Sequence, residues 1–495
     1  MVEKEKMPNV VLIVMDAVRA DHLSSYGYHR KTSSNLDMLA KQGVLFENAF
    51  SAAEWSYPSH ASIFTGKYPS FHKTLGKDVF LHKENTTIAE ILDLNGYQTI
   101  GISGNILLSP ANGFDKGFQK YIVLDTPFRS FKFIKQSPKD FIRTLIYGLD
   151  SYTYRNVEMI KRFLSKRNEK KPFFLFSNLY NCHAPYDPPR SFKRRFCDSL
   201  DEPMFYLMEY LSNKLVGHTG EKLRDSSLDV RKLNRIASDD GQYSFMAKEL
   251  EVSEEEWEVV KSWYDGGISY LDYRLGQLIG FLKDKEIFDN TLLIITSDHG
   301  ENFGEHGLAT HQFCLYDSLL HVPLMMVYPN VISKGIRISS LASTIDIFPT
   351  ILDILNIEGC GNNIQGKSLF PFKDQKIHDF ICAECGESIT NIPTDWVQFI
   401  QRLRPKLKTY DKGSKCLRTK SYKYIISADQ KEELYDIQKD PLEKMNIAGK
   451  YPEKVELFRK QLENTIDPSF FGPSEISLKK EGNEIANRLR ALGYI

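Results

Sequence analysis

NVVLIVMD, residues 9–16, decides how the fold is read. Six apolar residues, Val10 to Met15, follow one another without polar alternation and stop at an aspartate. A strand covered on one face alternates apolar and polar residues, whereas a strand covered on both faces reads as a continuous apolar run. PFFLFSNLY (172–180) and TLLIITS (291–297) have the same character, and VPLMMVY (322–328) adds a fourth run. All four are read as buried parallel strands. Helical patterns lie between and after them. TTIAEILDLNG (86–96) ends on a glycine, residues 253–285 open with Ser253 and a run of acids, and DIFPTILDIL (346–355) has helical spacing. Strands alternating with helices give an α/β fold, a mostly parallel central sheet covered by helices.

The chain has 495 residues, 42% hydrophobic and 26% charged, the make-up of a soluble globular enzyme with more than one domain or one large domain and an appendage. Lys+Arg and Asp+Glu number 64 each, and a zero formal charge argues against a dedicated nucleic-acid binder. No stretch has the length and purity of a membrane span, and Val10–Met15 is too short for a signal-peptide core. The expectation is a cytoplasmic protein. Seven scattered cysteines, an odd number, argue against a disulfide framework. The pair in CAEC (382–385) has no second CxxC to complete a metal site.

Residues 187–252 are charged and irregular and read as an insertion after a strand. Their basic run SFKRRF (191–196) is either a solvated face or a contact for an anionic substrate. After about residue 375 the pattern changes. CLRTKSYKYIISADQKEELYDI (416–437) reads as a hairpin around ADQKE, and EKVELFRKQLENT (453–465) as a helix. This gives a catalytic α/β domain over 1–375 and a small α+β C-terminal domain over 376–495.

Two strands end in acids: the first at Asp16, the third at Asp298, which His299 follows. Ligands of open α/β sheets lie beyond the carboxyl ends of the strands, so these groups converge despite their separation in sequence. Two carboxylates and an imidazole suit a divalent cation. The competing reading is that strand-end acids cap helices and turns. In EWSYPSHASIFTG (54–66), Pro58 suits a first helical turn and Gly66 a C-cap, so Ser59–Thr65 are expected to be helical with Ser56 just ahead. A serine beside a cation and a helix N-terminus can attack phosphorus or sulfur.

On these residues the chain resembles the sulfatase family of the alkaline phosphatase superfamily. The resemblance is carried by NVVLIVMDAVRADHLSSYG (9–27), WSYPSHASIFTGKYPS (55–70), HAPY (183–186), TSDHGENFGEHGL (296–308) and LYDSLLHVPLM (315–325). RTKSYKYI, ELYDIQKDP and RLRALGY near the C-terminus add to it. It implies an alkaline-phosphatase-like sandwich. It also implies a metal held by Asp16, Asp298 and His299 together with Ser56, with Ser56 as nucleophile, in sulfatases a cysteine or serine oxidised to formylglycine. His183 and His311 match positions that contact the ester, one acting as acid to the leaving group. One Ca²⁺ is the implied ion. The residue types themselves leave Mg²⁺, Mn²⁺ and Zn²⁺ open.

Three departures bear on the chemistry. Sulfatases place two adjacent acids after the first strand, but Ala17 follows Asp16. They place an arginine two residues after the motif proline, part of the signal for formylglycine formation, but here His60 stands there. They carry a lysine and a histidine in the segment that reads IGISGNILLSP (100–110), where Asn105 is the polar side chain placed to meet the ester, as His60 is on the other side. The expected activity is hydrolysis of a small-molecule or saccharide sulfate ester. The alternative is a phosphodiesterase, phosphonate monoester hydrolase or phosphoryl transferase using unmodified Ser56, because phosphoserine can be hydrolysed directly and a serine sulfate cannot easily be. A second alternative is a binding protein on the same fold.

Overall fold

The structure is a computed structural model that describes residues 7–75, 80–124, 152–197, 229–358, 363–373, 375–387, 402–403 and 405–467. Part of the insertion (198–228), Cys360 and the RLRALGY stretch lie outside the described residues.

Ten strands precede residue 344: β1 Asn9–Met15, β2 Val44–Phe50, β3 Gln98–Ser103, β4 Lys120–Val123, β5 Phe173–Leu179, β6 Thr291–Ser297, β7 Asn302–Phe303, β8 Ala309–Thr310, β9 Leu324–Val327 and β10 Ile336–Ser343. Eight form one sheet in the order β10-β2-β9-β6-β1-β5-β3-β4, and β7 and β8 form a separate small hairpin. The opening stretch lies at the centre. β1 pairs in parallel with both β5 and β6, and all seven of its residues are buried. Its side chains divide by parity. Val11, Ile13 and Met15 face one hydrophobic core, and Val10, Leu12 and Val14 face the other. Cores on both faces are the reason for the unbroken apolar run.

VPLMMVY departs from the sequence expectation. It forms β9, but β9 pairs antiparallel with β6 and β2 and is the one reversed strand of the sheet. An apolar run fixes burial and not direction. The consequence is local: a chain leaving β6 at the carboxyl edge and re-entering there as β9 keeps residues 298–323 at that edge. The other helices follow their signals. Glu254–Asp284 is one 31-residue helix whose N-cap Ser253 and Glu256 form a reciprocal capping box. Ile88–Leu94 is capped likewise by Thr87 and Glu90.

The basic run of the insertion is solvated at Arg195 but closed to an anion at Lys193. Lys193 is buried, 2.8 Å from Asp187 and 4.0 Å above the Trp263 ring, and Arg195 donates to Ser269 Oγ at 2.6 Å. A second sheet begins at Phe380, with β11 Phe380–Cys385, β12 Ser414–Thr419, β13 Tyr422–Ser427 and β14 Glu432–Asp436 in antiparallel order. The expected hairpin is therefore two hairpins, because the first β-rich segment breaks at Lys420–Ser421. Cys382 and Cys385 lie on opposite faces of β11, in different apolar clusters, and form no joint site. Among the described residues no helix is long and apolar enough to cross a membrane.

Candidate active site

Because β1, β2, β3, β5 and β6 run the same way, the loops that leave them meet at one edge. β1 delivers Asp16, β6 delivers Asp298 and His299, the loop after β2 leads into Ser56, the loop after β3 carries Asn105, and the loop after β5 carries His183. Asp16, Asp298 and His299 offer ligand atoms within 4.8 Å of one another, all buried.

The Ser56 helix runs Ser56–Thr65, three residues longer at its start than the sequence suggested, and ends at Gly66 with φ +68°. Ser56 is its first residue, so Ser56 does not cap it, and neither does Trp55, whose side chain makes no cap bond. Ser59 Oγ donates to the Asp298 backbone carbonyl at 2.7 Å, tying helix to strand end. Ser56 Oγ lies 3.3 Å from His299 Nε2 and accepts from Asn105 Nδ2 at 3.2 Å.

The cluster fits a divalent cation. Asp298 Oδ1 accepts from the Ala17 and His299 amides, at 3.1 and 3.0 Å, while Oδ2 has no hydrogen-bond partner. Asp16 Oδ2 accepts from Asn105 Nδ2 at 3.0 Å and Asn178 Nδ2 at 2.9 Å, while Oδ1 has none. Thus each carboxylate is anchored by one oxygen and presents the other, buried and unsatisfied, on the side of His299 Nε2, at 3.9 Å from Asp16 Oδ1 and 3.4 Å from Asp298 Oδ2. His299 Nδ1 donates to the Gly300 carbonyl at 2.8 Å, which leaves Nε2 as the free lone pair. Burial, reinforced by the His311 ring, pulls His299 down to about 3, the neutral state a ligand needs. Burial raises Asp298 above its ordinary value, against the opposing pull of His60 and of the backbone amides that bond it.

A row of rings borders this niche. His311 stacks on His299 at 4.4 Å and meets the edge of His183 at 4.6 Å, and His183 stacks on Tyr180 at 4.5 Å. Burial and the adjacent His183 lower His311 to about 3. For His183, burial opposes the charge, but Asp239, Asp16 and Glu301 outweigh it and raise the group. The two imidazoles are thus differentiated: the acids around His183 favour its protonated form, and burial disfavours that of His311.

Two sequence expectations need correction. His60 and Asn105 were placed at the ester, yet neither is open to it. The fully buried His60 ring has Nδ1 2.8 Å from the Ser56 carbonyl and Nε2 3.4 Å from Asn178 Nδ2, with Phe176 at its side. It supports the site from beneath. Asn105 spends its amide hydrogens on Asp16 and Ser56 and its carbonyl on the Leu107 amide, so it braces the nucleophile. Two residues went unread. Asn178 sits at the end of β5 within an apolar run, and such a carboxamide must find buried partners. Glu301 is a fully buried acid two residues past His299, which carried no pattern of its own.

A serine hydroxyl beside two buried carboxylates and an imidazole thus lies on the carboxyl edge of a sheet with an alkaline-phosphatase-like fold. A sequence profile of the Sulfatase family matches residues 8–357. Arylsulfatase K of Xenopus laevis is 26% identical over 475 residues, covering 93% of this chain and 82% of that protein. An N-acetylglucosamine-6-O-sulfatase of Bacteroides thetaiotaomicron is 24% identical over 507 residues, covering 94% and 87% respectively. Among solved structures, a phosphonate monoester hydrolase of Agrobacterium radiobacter matches with a TM-score of 0.69 and 21% identity, over 92% of this chain and 95% of its own. The chain belongs to the sulfatase family and is a sulfuric ester hydrolase.

Proposed function

We propose that the substrate is a saccharide sulfate ester, attacked by Ser56 or its formylglycine derivative, and that one divalent cation, Ca²⁺, is held by Asp16, Asp298, His299 and Ser56. The observation that carries this is the position of Ser56 Oγ, 3.3 Å from His299 Nε2 and beside two unsatisfied carboxylate oxygens. Three oxygen donors and one nitrogen suit a hard cation. When bound, such an ion stabilises negative charge and lowers the pKa of a coordinated hydroxyl. Asn105 holds Ser56 Oγ in place. As the hydroxyl at position 56 releases its proton to solvent and its oxygen bonds to sulfur, the ester S–O bond breaks and His183 gives its proton to the departing alcohol oxygen; in the formylglycine hydrate the second hydroxyl then expels sulfate and restores the aldehyde. The match to an N-acetylglucosamine-6-O-sulfatase over most of both chains supports a sugar as that alcohol. Catalysis is assigned to residues 1–375. Residues 376–495 are assigned to a second domain, whose strand β11 braces the nucleophile loop, where the Glu384 amide donates to the Ala52 carbonyl at 3.0 Å.

A second reading is favoured by one position. His60, where the family carries arginine, is walled in by Ser56, Asn178 and Phe176. If Ser56 consequently stays serine, phosphate or phosphonate esters become the better substrates, since water can attack a phosphoserine. Mass spectrometry of the Ser56 peptide from protein of native source, with paired aryl sulfate and aryl phosphonate assays, separates the two. Loss of two hydrogens with sulfate turnover supports the first reading. Intact serine with phosphonate turnover supports the second. Unchanged turnover by Ser56→Ala would remove both.

A further inference from the structure

His311 is held from two sides by rings, but stacking does not fix which nitrogen carries its proton. That choice belongs to its hydrogen-bond partner. Glu301 is fully buried, and a glutamate is almost never so unless its carboxylate is engaged. Its two oxygens lie 3.3 and 3.4 Å from His311 Nδ1. These are long contacts of the kind that tighten when a substrate binds. The Tyr186 hydroxyl is close enough to Glu301 to interact with its carboxyl. Gln242 Nε2 donates in turn to the Tyr186 oxygen at 2.9 Å. Next to it, the Tyr243 hydroxyl donates to Gln312 Oε1 at 2.9 Å, gripping the residue that follows His311. Gln242 and Tyr243 sit on the helix Asp239–Met246, inside the irregular insertion. From behind, Arg19 Nη1 donates to the Glu301 carbonyl at 3.0 Å.

We propose that Glu301 is the positioning residue for His311. It accepts Nδ1–H, fixes that tautomer and ring orientation, and leaves Nε2 as the working nitrogen, while Tyr186 and Gln242 of the 187–252 segment and its approach hold Glu301 in place. The idea rests on His311 being a site residue. It also gives the insertion a role, because the helix Asp239–Met246 holds both Glu301 and the loop that carries the histidine. No proton leaves Glu301 in this scheme, since the carboxylate acts only as an acceptor.

The test uses full-length, metal-loaded protein. Long-range ¹H–¹⁵N correlation of ¹⁵N-histidine-labelled protein reads the tautomer directly, with the His311 signals assigned by their loss in His311→Ala. Wild type should be protonated at Nδ1. Glu301→Gln, whose amide can donate to Nδ1, should move the proton to Nε2, and Glu301→Asp should keep it at Nδ1. With an aryl sulfate, Glu301→Gln should lower kcat by about 10–100-fold with KM nearly unchanged, the scale seen when partners of site ligands are removed. Glu301→Asp should recover part of the loss, at full metal content throughout. Should Glu301→Gln fail to fold, Tyr186→Phe gives the same kcat readout at smaller amplitude. A wild-type His311 protonated at Nε2, or a Glu301→Gln protein with the wild-type tautomer and kcat, would overturn the proposal. Wild type inert towards both aryl sulfate and aryl phosphonate esters would overturn the functional reading instead, and the tautomer shift alone would then decide this one.

Discussion

Among the clusters of buried charge in the described residues, two are built on opposite plans. One is the niche of Asp16, Asp298 and His299. The other joins the second sheet to the loop before β9. There the fully buried Lys423 lies 2.7 Å from Asp317 Oδ1 and 2.8 Å from Glu443 Oε1, and Arg418 reaches Asp317 Oδ2 at 3.2 Å. Two cations face two acids, so the charges balance there, although Glu443 Oε1 is met by Lys423 as an ion pair without a hydrogen bond. In the niche, two carboxylates face a histidine that burial keeps neutral, and each retains an unsatisfied oxygen. Burial of charge does not by itself distinguish scaffold from site; the presence of balancing charge does. A closed cluster contributes stability. An open one is held at a cost by the rest of the fold.

The largest effect that sharpens this contrast is on turnover. Asp298→Asn and Asp16→Asn should empty the niche of metal, read by elemental analysis. They should cut turnover by more than the ~10–100-fold that partners of metal ligands command. Full occupancy and normal rates in both variants would break the contrast. Next comes the closed cluster. Lys423→Met leaves Asp317 and Glu443 facing each other in a buried setting and should cost about 3–5 kcal/mol in urea unfolding. An unchanged midpoint would mean the cluster is not structural. The same kind of measurement should give the opposite sign in the niche. In metal-free protein, Asp298→Asn removes one of two unpaired carboxylates and should raise stability by about 1–3 kcal/mol. A loss there would show that the niche, like the interface, is closed without an ion.

The smallest effect is in pH. Burial raises Asp317, but Lys423 and Arg418 outweigh it and hold the carboxyl well below its ordinary 3.8. A lowered pKa stabilises the fold above the unfolded-state value and loses that contribution as pH falls through the folded one. The melting temperature should therefore drop as pH falls below about 4. Asp317→Asn should flatten that slope, and an equal slope in both proteins would assign the acid sensitivity elsewhere.

Much of this was legible in the sequence, for one physical reason: strands buried on both faces write unbroken apolar runs, and parallel strands bring their ends together. That alone placed Asp16, Asp298 and His299 in one niche, with Ser56 beside it. Direction was not legible, because VPLMMVY reads the same either way, and β9 runs opposite to its neighbours. Nor was the Lys420–Ser421 turn, which has no Gly, Pro, Asn or Asp to mark it. His60 and Asn105 were legible as neighbours of the nucleophile but not as its supports. Which way a side chain near a site faces depends on partners such as Asn178, which come from another strand. Glu301 was invisible for a similar reason, since it is surrounded by His311 on its own loop and by His183 and Tyr186 from the β5 loop.

Ala17 stands at φ +59°, a conformation that costs an alanine about 1 kcal/mol and that asparagine and aspartate tolerate far better. Both of its backbone groups are tied down, the amide to Asp298 Oδ1 and the carbonyl to the Tyr264 hydroxyl at 2.6 Å. The bend therefore persists whatever side chain is present. At this position sulfatases usually carry a second acid. The main chain here has a posture that suits such a residue, so a two-acid niche is one substitution away and requires no rebuilding of the backbone.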